Sequence, residues 1–197
     1  MRKLVYYIGA SIDGYIAGPG GEVDFYPVGD ERQATAYAAR INARYPETVP
    51  TALRPHVGLA DAPNLRFDTV LMGHGTYRTV LDLGTTSPYT HLRQYVVSTT
   101  LAPSPDPAVT VVGGDPLALV RDLKKQQGQD IWLCGGGRLA ASLLPELDEI
   151  AVKSYPVVAG AGIPVFDGEF NPTRFRASAR ETFDNGVLMT WFERVDT

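Results

Sequence analysis

Three glycines and an arginine, Gly135-Gly136-Gly137-Arg138, close the apolar run Ile131-Trp132-Leu133-Cys134. Four apolar residues in a row suit a strand buried on both faces, and the residues after the glycines, Arg138-Leu-Ala-Ala-Ser-Leu-Leu, resume with helical spacing. The stretch reads strand, glycine turn, helix. A turn without side chains lets a ligand approach bare backbone, and the helix start offers unpaired N–H groups and its positive dipole end. The chemistry this suits is anion binding, with phosphate the natural occupant. Arg138 opposes the helix dipole unless such an anion offsets it. On these residues alone a ligand-free turn is an equal reading.

A second glycine turn repeats the theme. Thr69-Val70-Leu71-Met72 is an apolar strand that runs into Gly73, and Thr76-Tyr-Arg-Thr-Val-Leu begins a short helix. Two more strands end in small residues: Gln94-Tyr-Val-Val leads into the hydroxyl cluster Ser98-Thr99-Thr100, and Val109-Thr-Val-Val into Gly113-Gly114. Asp115-Pro116 then starts a helix as an N-cap followed by proline in the first turn.

The remaining elements must hold these turns in place. Leu4–Ala10 is a short apolar strand rich in aromatic and β-branched residues, followed by a glycine-rich loop through Gly21. An alanine-rich segment with acids at its start predicts a helix over 30–45, and residues 46–67, with four prolines, predict a long surface excursion. Glu149–Tyr155 is a strand, 156–166 a glycine-proline loop, and 175–183 with 187–195 form a hairpin around Asp184-Asn185-Gly186. This order predicts an α/β sheet, parallel within and antiparallel at its C-terminal edge.

With 197 residues, 44% of them hydrophobic and 20% charged, the chain suits one ordinary globular domain spanning 1–197. A net charge of −4 gives a nucleic-acid groove no support, and no apolar stretch is long enough to span a membrane. The one cysteine, Cys134, reads as a small buried hydrophobe, and a cytoplasmic location is the default. The three histidines, His56, His74 and His91, lack metal-ligand spacing, so no metal is expected.

Taken together, Ala10-Ser-Ile-Asp-Gly-Tyr-Ile-Ala-Gly, Val70-Leu-Met-Gly-His-Gly-Thr-Tyr, Val96-Val-Ser-Thr, Ile131 to Arg138, and Asp148-Glu-Ile with Gly162-Ile-Pro-Val-Phe resemble the dihydrofolate reductase superfamily. The resemblance is closer to its branch related to the reductase domain of bacterial riboflavin biosynthesis. It covers nearly the whole chain and implies a dihydrofolate reductase-like three-layer fold with a mostly parallel sheet. It also implies NADPH as cofactor. By that resemblance Gly135, Gly136, Gly137, Arg138 and Leu139 lie along the pyrophosphate, with Gly73 and Thr76 opposite, and the Gly135–Gly136 peptide is cis. Ser98 and Thr99 sit by the adenosine ribose, Arg138 and His74 near its 2′-phosphate, and Ile16 and Ala17 flank the nicotinamide. His74 stands where dihydrofolate reductases usually carry a basic residue, and Lys153 where they usually carry threonine.

The implied activity is hydride transfer from NADPH to a small heterocyclic or carbonyl compound, such as a pyrimidine or pterin-like ring. Reduction of 5-amino-6-(5-phosphoribosylamino)uracil is a specific version, although the chain has no deaminase segment with zinc-ligand spacing. Asp30, Glu31, Tyr155 and water are the candidate proton donors, with Asp30 as a helix cap and Glu31 as a first-turn acid the competing readings. The alternative function is an NADP(H)-binding protein that senses or stores cofactor without turnover. The expected partner is a small-molecule substrate, and a homodimer is left open.

Overall fold

The computed structural model describes residues 1–195 except 83 and 105. Its strands are β1 (Leu4–Ser11), β2 (Tyr15–Ala17), β3 (Phe67–Gly73), β4 (Arg93–Val97), β5 (Val109–Val112), β6 (Asp130–Gly135), β7 (Glu149–Tyr155), β8 (Ile163–Pro164), β9 (Phe175–Thr182) and β10 (Leu188–Arg194). The helices are α1 (Glu31–Arg44), α2 (His74–Asp82), α3 (Pro116–Lys125) and α4 (Gly137–Leu143). Eight strands form one sheet in the order β5-β4-β3-β6-β1-β7-β10-β9. All neighbours from β5 through β7 run parallel, and β10 and β9 add the antiparallel edge.

Alternation along the buried strands divides the interior into two cores. Val5 and Tyr7 of β1 and Trp132 of β6 face one side, where Tyr37 and Ile41 of α1 and Tyr77 of α2 cover them. Leu4, Tyr6, Ile131 and Leu133 face the other, under Val120 and Leu123 of α3 and Leu139, Ala140 and Leu143 of α4. The result is helices, sheet, helices. Residues buried on both faces read as unbroken apolar runs, which is why these strands were visible in the sequence.

Three details depart from expectation. β2 and β8 pair as a separate antiparallel ribbon in segments that read as loop; at three and two residues they are too short to show a period. Helix α2 starts at His74, two residues before the expected Thr76. The excursion from Pro46 carries two short 3-10 turns and is pinned by Glu47, which is fully buried and accepts backbone N–H groups of Arg66 at 2.9 Å and Phe67 at 2.8 Å.

Candidate functional site

The parallel strands all end at one edge, and there the two glycine turns meet. Gly135 has φ +143°, a backbone angle residues with a Cβ rarely adopt, and the Gly135–Gly136 peptide is cis, as expected. A Cβ placed on Gly73 would lie 3.3 Å from the Gly136 amide nitrogen and 3.7 Å from the Leu139 Cβ. One on Gly135 would lie 3.3 Å from the Thr76 Oγ1, and one on Gly136 3.9 Å from the Ile16 Cδ1. Residues Ile16, Gly73, Thr76, Gly135, Gly136 and Leu139, drawn from three separated segments, are thus neighbours around a surface of bare backbone. That surface would pass a phosphate or a flat ring without side-chain obstruction. Gly137 serves a packing need instead: a Cβ there would collide with the Pro164 carbonyl oxygen of β8.

The 12–18 loop is anchored over this edge by its own contacts. Asp13 accepts hydrogen bonds from the Ser11 hydroxyl at 2.6 Å and from the Ala159 and Gly160 amides at 3.0 and 2.7 Å. The Ser11 hydroxyl foremost, then these amides, hold the Asp13 carboxyl down at about 2. Val165 donates its N–H to the Gly14 carbonyl at 2.9 Å. Ala17, buried, pairs with Ile163 in the ribbon, so it borders Ile16.

At the end of β4 the roles differ from expectation. Buried Ser98 turns its Oγ inward to accept the N–H groups of Thr100 at 3.2 Å and Leu101 at 3.0 Å, so it shapes a turn. Thr100, the last residue of the hydroxyl cluster, reaches the His74 Nδ1 at 3.4 Å, while Thr99 is exposed beside it. Arg138 does not join this group. Its exposed guanidinium pairs with Asp167 at 3.0 Å, beside the loop after β8, whereas Leu139 is the α4 residue turned toward Gly73. Arg138 thus pairs with Asp167, and Thr100 is the residue found at His74. Asp167 is brought to Arg138 by its own N–H bond to the Gly137 carbonyl at 3.1 Å, a tertiary contact that spacing does not reveal.

The acid candidates also move. Asp30 accepts the Gln33 N–H at 2.9 Å, and the Gln33 side chain accepts the Asp30 N–H at 2.9 Å, a complete capping box. Glu31 groups with Arg32, Thr35, Ala36 and Ala39 on the outward face of α1. Both carboxylates are exposed; helix capping places Asp30 and helical phase places Glu31. The Tyr155 hydroxyl lies 3.0 Å from that of Tyr37, and the Tyr155 ring 4.5 Å from that of Tyr26, which donates to the Gly9 carbonyl at 3.2 Å. Burial pushes the Tyr37 phenol up and brings Tyr26 to about 12. Lys153 stands level with Gly9, its Nζ 4.2 Å from the centre of the Tyr7 ring, and burial lowers its pKa.

No group of three or more metal-ligating side chains occurs among the described residues, and His91 is engaged by Thr51 at 3.1 Å and the Glu47 carbonyl at 2.8 Å. No described helix is long and apolar enough to cross a membrane.

The family model of the RibD C-terminal domain matches residues 2–189. The chain belongs to that family. Among its relatives are two Bacillus subtilis (strain 168) proteins named as uncharacterized. YwjB is 30% identical, with 95% of this chain and 96% of YwjB covered, and YyaP is 26% identical, with 95% and 92% covered. Solved structures share the fold. A Shewanella sp. PV-4 protein assigned by name to riboflavin biosynthesis superposes with a TM-score of 0.70 at 24% identity, covering all of both chains. The Thermotoga maritima diaminohydroxyphosphoribosylaminopyrimidine deaminase/5-amino-6-(5-phosphoribosylamino)uracil reductase superposes with a TM-score of 0.64 at 13% identity. That match covers 98% of this chain and 57% of the Thermotoga protein. A RibD C-terminal fold of this kind is the dihydrofolate reductase-like, mostly parallel α/β sheet described above.

Proposed function

We propose that this single-domain chain is an NADPH-dependent reductase of a small oxo-bearing heterocycle or carbonyl compound, similar to the pyrimidine reductases of its family. The observation that carries the reading is the side-chain-free cradle in which Gly73, Gly135 and Gly136 meet beside Thr76 and Ile16. A Cβ on any of these glycines would fill space against atoms 3.3–3.9 Å away, so the cradle fits a ligand that needs close backbone approach. A dinucleotide pyrophosphate is such a ligand. His74, Thr99 and Thr100 would receive the adenosine end, and Ile16 with Ala17 would border the nicotinamide. Bound there, the cofactor supplies a hydride from its dihydronicotinamide ring, and the protein aligns the substrate and excludes water.

Fluorescence titration with NADPH and NADH, followed by NADPH oxidation against dioxopyrimidines and dicarbonyls, tests the reading. Saturable NADPH binding and turnover are expected; failure to bind either dinucleotide refutes it. Capture of Asp30 and Glu31 by α1 favours the second reading, cofactor binding without turnover. Tight NADPH binding with no oxidation across the panel would select it.

A further inference from the structure

The sheet carries a cation without an anion. Lys153 projects from β7 toward the α1 side of the sheet, and it makes no ion pair among the described residues, in which every other such pair is formed elsewhere. The groups around it are Tyr7 of β1, Cys134 of β6, Tyr45 after α1, Tyr155 on its own strand and Met189 opposite on β10. None of these is a carboxylate. Burial pushes the Cys134 thiol up to about 12 and the Tyr7 phenol higher still, so neither supplies a counter-charge near neutral pH. The Tyr7 ring face is a partial substitute, since it attracts a cation but accepts no hydrogen bond along the ammonium's other N–H directions.

The backbone next to Lys153 carries no side chain. Gly9 stands at its level in the neighbouring strand, and a Cβ there would come within 3.1 Å of the Tyr155 ring and 4.0 Å of the Lys153 Cε. Glycine thus lets the Tyr155 ring lie against β1 beside Lys153, which places the phenol and the ammonium side by side.

We infer that Lys153 is the substrate-side catalytic residue: its ammonium hydrogen-bonds an oxo group of a planar, non-cationic substrate and donates the proton that completes reduction. This rests on the reductase reading above. Hydride adds to the carbon of a C=O or ring C=N bond, the π pair moves to the oxygen or nitrogen, and that atom takes a proton from Nζ. Lysine is left neutral and recovers its proton from water. The substrate gains two electrons and two hydrogens, and the dinucleotide is oxidised by two electrons. Burial, which lowers the Lys153 pKa, makes the neutral amine accessible after transfer. The same uncompensated charge rejects cationic substrates.

Wild type, Lys153→Met and Lys153→Arg are compared as full chains, with thermal unfolding confirming that each is folded. NADPH titration should give the same affinity within about 2-fold for all three, because Lys153 lies off the cradle. Barbiturate, a planar trioxopyrimidine enolate, should bind at least about 10-fold more weakly to Lys153→Met, the scale of one charge-assisted hydrogen bond, and nearly normally to Lys153→Arg. With any panel compound the wild type reduces, kcat should fall about 100-fold or more in both variants, since arginine keeps the charge but does not release its proton. Normal barbiturate binding by Lys153→Met, no binding by wild type, or normal kcat in Lys153→Arg overturns the assignment. A wild type that binds NADPH and barbiturate but reduces nothing overturns the proton-donor role. If the wild type binds no NADPH, the reductase reading fails by itself, and barbiturate titration of the apo chain still judges the Lys153 oxyanion contact.

Discussion

Replacing Lys153 by methionine should make the protein more stable at neutral pH. An ammonium partly withdrawn from water without a counter-ion or hydrogen bond is penalised, and exchange of such charges for apolar groups of similar volume is neutral or stabilising by about 1–4 kcal/mol. The Tyr7 ring, 4.2 Å away, returns about 0.5–2 kcal/mol of that cost. The balance favours methionine by about 1–2 kcal/mol, equivalent to a rise in Tm of about 2–8 °C for a chain of this size. The pH dependence has a definite sign. Lys153 has a lowered pKa in the folded protein, against about 10.4 in the unfolded chain. Between those two values the unfolded state binds more protons, so wild-type stability climbs with pH. The penalty is complete below the folded pKa and gone above the unfolded one. Lys153→Met lacks this contribution, so the two stability curves should converge as pH approaches about 10.4. Urea unfolding of both proteins at intervals from pH 6 to 10 reads this directly. A wild type more stable than the variant at pH 7, with a gap that does not change with pH, would show a satisfied structural lysine and refute the reasoning.

Three further outcomes follow from the contacts of the site. Asp30→Asn should leave turnover and stability almost unchanged, whereas Asp30→Ala should lose about 1 kcal/mol in a thermal melt, as expected for a cap; loss of activity in Asp30→Asn would restore Asp30 as a proton donor. Gly137→Ala gains about 1 kcal/mol of helix propensity but drives a Cβ into the Pro164 carbonyl, a clash of about 1–3 kcal/mol. A net loss of about 1 kcal/mol in urea unfolding, with weaker NADPH binding, is the expected result, and a gain in stability would contradict it. Asp13→Asn should speed amide hydrogen exchange at Ala159 and Gly160 at pH 7. Because the Asp13 carboxyl is held down at about 2, its clasp is fully present above the unfolded value near about 3.9 and is lost as pH falls through the folded one. Unchanged exchange in the variant would remove the clasp from the account of the loop.

What could be read from the chain itself was whatever local periodicity and turn chemistry dictate. Apolar runs such as Ile131–Cys134 must be buried on both faces, so they disclosed the parallel strands, and Asp184-Asn185-Gly186 disclosed the hairpin between β9 and β10. The glycine turns at Gly73 and Gly135–Gly137 stood out because few other residues tolerate such backbone. Family resemblance supplied their order and the cis peptide.

Tertiary structure alone decided which side chains share a neighbourhood. Glu31 lies one residue off the phase of Tyr37 and Ile41, which face the sheet, and the capping box with Gln33 commits Asp30 locally. Arg138 was free to meet a phosphate until Asp167, nearly thirty residues later, arrived beside it through the β8 loop. Thr100 and His74 come from different strand ends, and Lys153, Gly9, Tyr7 and Cys134 from three neighbouring strands. The isolation of Lys153 has no counterpart in its local sequence. A charge is left unpaired by what every adjacent element fails to provide, and that sum exists only once the sheet has assembled.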